Sequence, residues 1–259
     1  MLLGVNIDHI AVLREARAIN DPNPLDALGI CKLCRVDQIT IHLREDRRHI
    51  DDTDAKNIIT LSQLPVNLEC SINSDIIDIV CSLKPHRATI VPENRAEVTT
   101  EGGLDLKNNF KKIKKAIAKL HKAGIEVSLF IDPTKKAIEL SKELGVEFVE
   151  LHTGSFANIY AMLYSGLEKT KYSIKDLELS RDQLLILLQE SIYDIKNATK
   201  LANMFGLKVA AGHGLNYQNV HLVSNIDGII ELNIGQSIIA RSVFTGLKTA
   251  IKDMQKLIK

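Results

Sequence analysis

Titratable side chains close a series of otherwise apolar runs in this chain. Asp8 and His9 follow LLGVN, His42 and Arg44 follow QITI, and Glu69 lies in VNLEC. Glu93 follows RATIVP, Asp132 follows VSLFI, Glu150 and His152 lie in FVELH, His213 follows KVAAG, and Glu231 with Asn233 lies in IIELNI. Imidazole, with a reference pKa of about 6.5, gives or takes a proton near neutrality, and a desolvated carboxyl can rise toward the same range. His42 and His213, with Glu69, therefore read as general acid/base candidates if these run ends meet. One histidine at a strand end is more often a hydrogen-bonded structural residue; the repetition across so many runs turns the reading toward catalysis. No lysine ends any of the runs, which disfavours an aldolase working through a lysine Schiff base.

Two stretches have the composition of anion sites. GHGLN at 212–216 and NIGQSII at 233–239 each follow a run, and Gly214 and Gly235 allow close backbone approach. A helix starting near Gln236 would aim free N–H groups outward. HLREDRRHI at 42–50 offers Arg44, Arg47, Arg48 and His49 as a clamp for a second phosphate, and Arg17 could join either site. The plainer alternatives stay open: glycines that only turn strand into helix, and a solvated, charge-rich loop. EVTTEGGLD at 97–105 has the hydroxyls and glycines of a lid.

The elements that would carry these groups repeat. Eight short apolar runs, LLGVNID, QITIHL, VNLEC, RATIVPE, EVSLFID, FVELHTG, KVAAGHG and IIELNIG, alternate with helical patterns such as SDIIDIVCSLK and TKKAIELSKELG. Gly124 and Gly145 stand where left-handed helix ends belong, a few residues before the next run. Runs that are apolar throughout suit a parallel sheet covered by helices. Eight such units predict an α/β fold, a single (β/α)8 TIM barrel spanning 1–259 as one domain. An open doubly wound sheet is the alternative, but NIDHIAVLREAR lacks the glycine-rich turn expected after its first strand. In a barrel the strand ends converge on one mouth. The segment 158–180 reads as an insertion after the sixth strand, and SIIARSVFTGLKTAIKDMQKLIK as the eighth helix.

The 259 residues carry 33 Lys plus Arg against 32 Asp plus Glu, a net charge of +1, so neither nucleic acid nor an anionic membrane is an expected partner. No apolar run reaches the ~18 residues of a spanning helix, and Asp8 interrupts what would be a signal peptide, so a cytoplasmic location is expected. Of four cysteines, Cys31 and Cys34 form a CxxC inside an apolar helical pattern and read as buried thiols.

VNIDHIAVLREAR, ITIHLREDRRHI, VNLE, VPENRAEVTTEGGLD, ELHTG, AGHGLNYQNV and ELNIG, in this order, resemble the pyridoxine 5′-phosphate synthase family from first strand to last helix. The resemblance implies condensation of 1-deoxy-D-xylulose 5-phosphate with 3-amino-2-oxopropyl phosphate, releasing inorganic phosphate and water, without a metal or other cofactor. It implies His42 and Glu69 as general bases, His213 as general acid and Glu150 as a transition-state group. It places Asp8, His9, Arg44, His49 and Thr99 on the deoxyxylulose phosphate, and Asn6, Arg17, Gly214, Gly235 and Gln236 on the amino-ketone phosphate. It also implies a homo-octamer. The family usually reads ELNIGH, whereas Gln236 stands here, so an amide replaces an imidazole. The competing readings are a metal-dependent lyase or hydrolase barrel acting on a phosphorylated substrate through His42, Glu69, Asp132 and His152, and a non-catalytic phosphate-binding scaffold.

Overall fold

The computed structural model describes residues 1–93 and 102–259. Eight parallel strands close into a barrel in sequence order: β1 (Leu2–Asn6), β2 (Gln38–His42), β3 (Val66–Cys70), β4 (Arg87–Ile90), β5 (Glu126–Ile131), β6 (Phe148–His152), β7 (Lys208–Gly212) and β8 (Ile229–Ile234). The helices around it are α1 (Asp8–Glu15), α2 (Asp26–Cys34), α3 (Asp52–Leu61), α4 (Ser74–Leu83), α5 (Leu106–Lys122), α6 (Lys135–Leu144), α7 (Gly154–Tyr164), α8 (Arg181–Met204), α9 (Val220–Ser224), α10 (Gln236–Thr245) and α11 (Leu247–Leu257). Each of the eight apolar runs holds one strand, as the sequence predicts. Among the described residues no helix is long and apolar enough to cross a membrane.

The two faces of the strands are chemically different. Outward residues such as Val5, Ile39, Ile41, Leu68, Val127, Leu129, Val149, Val209 and Leu232 are fully buried with helix residues such as Ile58, Val80, Ile113, Leu120 and Ile138 in one apolar cluster. Burying side chains of this size stabilises by roughly 1.5–3 kcal/mol each. The lumen, by contrast, is polar. Gln38, Arg87, Glu231, Glu150 and Asn233 come from β2, β4, β6 and β8, which are not neighbours, so their mutual hydrogen bonds must cross the barrel interior. Layers contributed by alternate strands are the rule in such barrels, but branched aliphatic residues usually fill them.

Local chemistry sets the helix ends. Asp51 and Asp54 form a reciprocal cap on α3, and Ser180 with Gln183 does the same on α8. Gly145 ends α6 in the left-handed conformation. Cys31 and Cys34 are buried in α2.

Two expectations need correction. Residues 158–164 are not insertion: they complete α7, which begins at Gly154, and only 165–180 is irregular, with two short 3-10 turns. The turn residues of YSGLEK obscured where the helix stops. The C-terminal pattern is two helices, not one, because Gly246, with φ of 77°, breaks α10 from α11.

Candidate active site

His42 ends β2 and is held from three sides. Its backbone N–H donates to Asp8 Oδ1 at 2.9 Å, its Nε2 lies 2.9 Å from Glu93 Oε1, and its Nδ1 lies 3.9 Å from Glu69 Oε2. Asn6 Nδ2 donates to the other Asp8 oxygen at 2.8 Å. Burial pushes the Asp8 carboxyl up to about 6, against the pull of His42. Burial also opposes ionisation of Glu93, but the His42 contact and the Glu45 N–H outweigh it and hold that carboxyl below its ordinary range.

Glu69 and Glu150 are carboxyls kept from ionising. Burial, then repulsion from Glu150 and Asp8, raises Glu69 well above the usual range. Burial and Glu231 push Glu150 up to about 7, although Asn233 donates to its Oε2 at 2.8 Å. Such groups hold protons that an exposed carboxyl would already have lost, and can pass them on.

His213 is the opposite case. Burial, then the neighbouring His152, pushes it down to about 4, so the ring is neutral at pH 7. Its backbone is left-handed, with φ of 80°, and Gly214 follows at 77°. Two consecutive left-handed residues turn the chain sharply at the end of β7, and a β-carbon on Gly214 would stand 2.5 Å from that of Ala157. His152 packs edge-on to His213 with ring centres 5.1 Å apart, and its Nδ1 lies 3.2 Å from Asp132 Oδ1.

Glu69, Glu150 and His213 share a cavity of about 300 Å³ with Asn6, His9 and the turns at 214–216 and 234–236. At its rim α10 starts at Gln236 with no side chain capping its first turn. Gly235 is required there, because a β-carbon would meet that of Asn6 at 2.8 Å. An uncapped helix start beside open space suits an anion.

The HLREDRRHI loop divides. Arg47 pairs with Asp52 at 3.0 Å, and Arg48 pairs with Asp46, so for these two the solvated-turn reading holds. Arg44 is buried, and the His49 ring centre lies 6.1 Å from that of His42. Burial, then the charges of His42, Arg44 and His9, pushes His49 down to about 3. Because its Nδ1 accepts from the Ile50 N–H at 2.8 Å, the neutral ring carries its proton on Nε2. Burial lowers His9 as well. Arg17 is exposed in the turn after α1 and does not line the cavity. Thr99 lies outside the described residues.

With this geometry in place, the family description "Pyridoxal phosphate biosynthesis protein PdxJ" matches residues 3–259. The chain belongs to the PdxJ family. A curated pyridoxine 5′-phosphate synthase from Aliarcobacter butzleri is 74% identical over 259 residues, covering 100% of this chain and 99% of its own. One from Sulfurovum sp. is 62% identical over 258 residues, covering 100% of both. A solved phosphoribosyl anthranilate isomerase from Thermococcus kodakaraensis superposes with a TM-score of 0.59 at 11% identity, covering 100% of this chain and 98% of its own. That likeness concerns the barrel alone. As a PdxJ member the chain is an enzyme of pyridoxal phosphate biosynthesis.

The metal-dependent reading gains nothing from PdxJ membership or from the geometry. Its four ligands fall into separate pairs, His42 with Glu69 and His152 with Asp132, and among the described residues no three His, Cys, Asp or Glu are placed to hold an ion. Asn233 lines the cavity, Glu93 contacts His42, and His152 with Asp132 packs on His213, none of them having been given a role in the condensation from sequence. They end strands like the others, but which faces which depends on barrel closure, which a linear pattern does not encode. Glu231 is different: it pairs in register with Leu2 at the start of β1, so it lies toward the barrel's base and not its mouth.

Proposed function

We propose that this barrel condenses 1-deoxy-D-xylulose 5-phosphate with 3-amino-2-oxopropyl phosphate to pyridoxine 5′-phosphate, one inorganic phosphate and two waters. The substrate brings its own amine, which attacks the sugar ketone; loss of water, loss of phosphate and ring closure follow. Each step moves a proton on carbon, nitrogen or oxygen. His42 serves as a base, and Glu69 as a second one once it has given up the proton that burial holds on it; Glu150 stabilises the charged transition states, and His213 delivers protons to departing oxygen. Because His213 is neutral in the free site, it first takes up the proton it later gives. The amino-ketone phosphate sits on the Gly214 and Gly235 backbone and the start of α10, with Asn6 and Gln236, and Arg17, outside the cavity in the free site, joins it by a swing of the turn after α1. Asp8, His9, Arg44, His49 and Thr99 hold the sugar phosphate.

The single observation carrying this reading is that a neutral imidazole and two protonatable carboxyls share one cavity with an uncapped helix start. The barrel, residues 1–259, is the catalytic domain, and its homo-octameric assembly and cytoplasmic location belong to the same proposal. The assembly is supported by an apolar patch on α10, where Phe244 is 89% exposed and Val243 67% exposed, beside exposed Val12 and Leu13 of α1. The test of the chemistry is ring formation, followed by pyridine absorbance, in His42→Asn and His213→Asn. Asparagine tolerates the left-handed backbone at position 213, so the fold is kept. Turnover should fall by about 10²–10⁴ in each. Near-normal turnover in either removes that histidine from the mechanism.

A further inference from the structure

Asn233 has every polar group of its side chain engaged. Its Nδ2 donates to Glu150 Oε2 at 2.8 Å and to Glu231 Oε1 at 3.3 Å. Its Oδ1 accepts from Gln38 Nε2 and Thr40 Oγ1, both at 3.4 Å. The reverse amide orientation would aim its oxygen at two carboxyl oxygens, so the orientation is fixed by chemistry. Glu231 Oε1 also accepts from Arg87 Nη1 at 2.8 Å and from Gln38 Nε2 at 3.1 Å, and Arg87 rests on the Phe148 ring, 3.6 Å from its centre. The backbone makes room for this arrangement. A β-carbon on Gly4 would stand 2.0 Å from Asn233 Oδ1, and one on Gly212 would stand 2.2 Å from Glu150 Oε1.

We propose that Asn233 is a positioning residue for Glu150: it locks one carboxyl oxygen, leaves the other for the cavity, and ties that carboxyl to the Arg87 and Glu231 pair at the barrel's base. Bulky aliphatic residues would fill the same layer at lower desolvation cost, so the polar chain from base to mouth is a device for orientation. Glu150 is faced by Glu69 of β3, Arg87 of β4, Glu231 of β8 and, across the cavity, His213; β2 contributes only Gln38 and Thr40. Burial is the main reason the Glu150 carboxyl is raised and the Asn233 hydrogen bond opposes it; Glu231 adds to the rise and Arg87 offsets it, so the base of the barrel tunes the carboxyl's proton affinity without reaching substrate.

The inference rests on Glu150 acting in the reaction, and the experiment separates the two claims. Steady-state ring formation is measured across pH for the full-length enzyme and for Glu150→Gln, Asn233→Ala and Glu231→Gln. Asn233→Ala should lower kcat by about tenfold or more with KM for both substrates nearly unchanged. Glu231→Gln, which lies outside the cavity, should move the Glu150 limb of the kcat profile to lower pH by about half a unit or more. If Asn233→Ala fails to fold, the Glu231→Gln profile alone decides. Inactive Glu150→Gln combined with parental kcat in a folded Asn233→Ala, or with an unmoved profile in Glu231→Gln, overturns the positioning role. Full turnover in Glu150→Gln overturns the underlying reading instead.

Discussion

Replacing Glu150 by Gln keeps the acceptor for Asn233 and removes only the capacity to ionise. The raised carboxyl has a cost to the fold that depends on pH. Below the ordinary value of 4.5 the group is protonated whether folded or not, and nothing is lost; as pH climbs toward about 7 the unfolded chain ionises first. Above that point the full difference, 7 − 4.5 = 2.5 pH units at about 1.36 kcal/mol each, amounts to about 3 kcal/mol. At pH 5 the same relation leaves about 1 kcal/mol. Glu150→Gln should therefore be more stable than the parent by about 3 kcal/mol at pH 8 and about 1 kcal/mol at pH 5, while losing turnover. Urea unfolding followed by circular dichroism suits the measurement, since the chain has no tryptophan. An equal gap at the two pH values would refute the reasoning, because it would mean Glu150 ionises in the fold as it does in water.

Two further outcomes follow from close contacts and from the chemistry at the helix start. Gly212→Ala should lower kcat and cost about 1–3 kcal/mol of stability, because its β-carbon would drive into Glu150 Oε1 and approach Asn233 O at 3.1 Å; wild-type kcat and urea midpoint together would contradict that packing. Gln236→His should keep turnover and lower KM for the amino-ketone phosphate a few-fold, by adding imidazole to the exposed start of α10. A raised KM would show a pocket shaped around the amide.

Most of the barrel was legible because its signals are local. Apolar runs of five to seven residues, each carrying a polar group at or near its end, hold β1 to β8, and Gly145 marked a helix end as its conformation requires. The misread segments also have local causes: Gly246 is an ordinary helix residue by hydrophobic spacing, and only its φ shows the break. The site was legible in its residue types, not in its pairings. That His42 meets Glu93, that His152 leans on His213, and that Glu231 lies at the base while Glu150 faces the cavity are consequences of strand register and barrel closure. No spacing within a single run carries that information. The neutral state of His213 was equally hidden, because it comes from burial in a closed barrel and from a neighbour sixty-one positions upstream in sequence.

One cavity, in this proposal, joins two phosphorylated substrates by proton transfer and releases one of the two phosphates. Phosphorus NMR of the metal-stripped enzyme mixed with equal amounts of both substrates reads this directly. Both substrate ester signals should decay together, giving one new ester signal and an equal amount of inorganic phosphate, with no change when either substrate is supplied alone. Release of phosphate from a single substrate, or persistence of both ester signals, would contradict it.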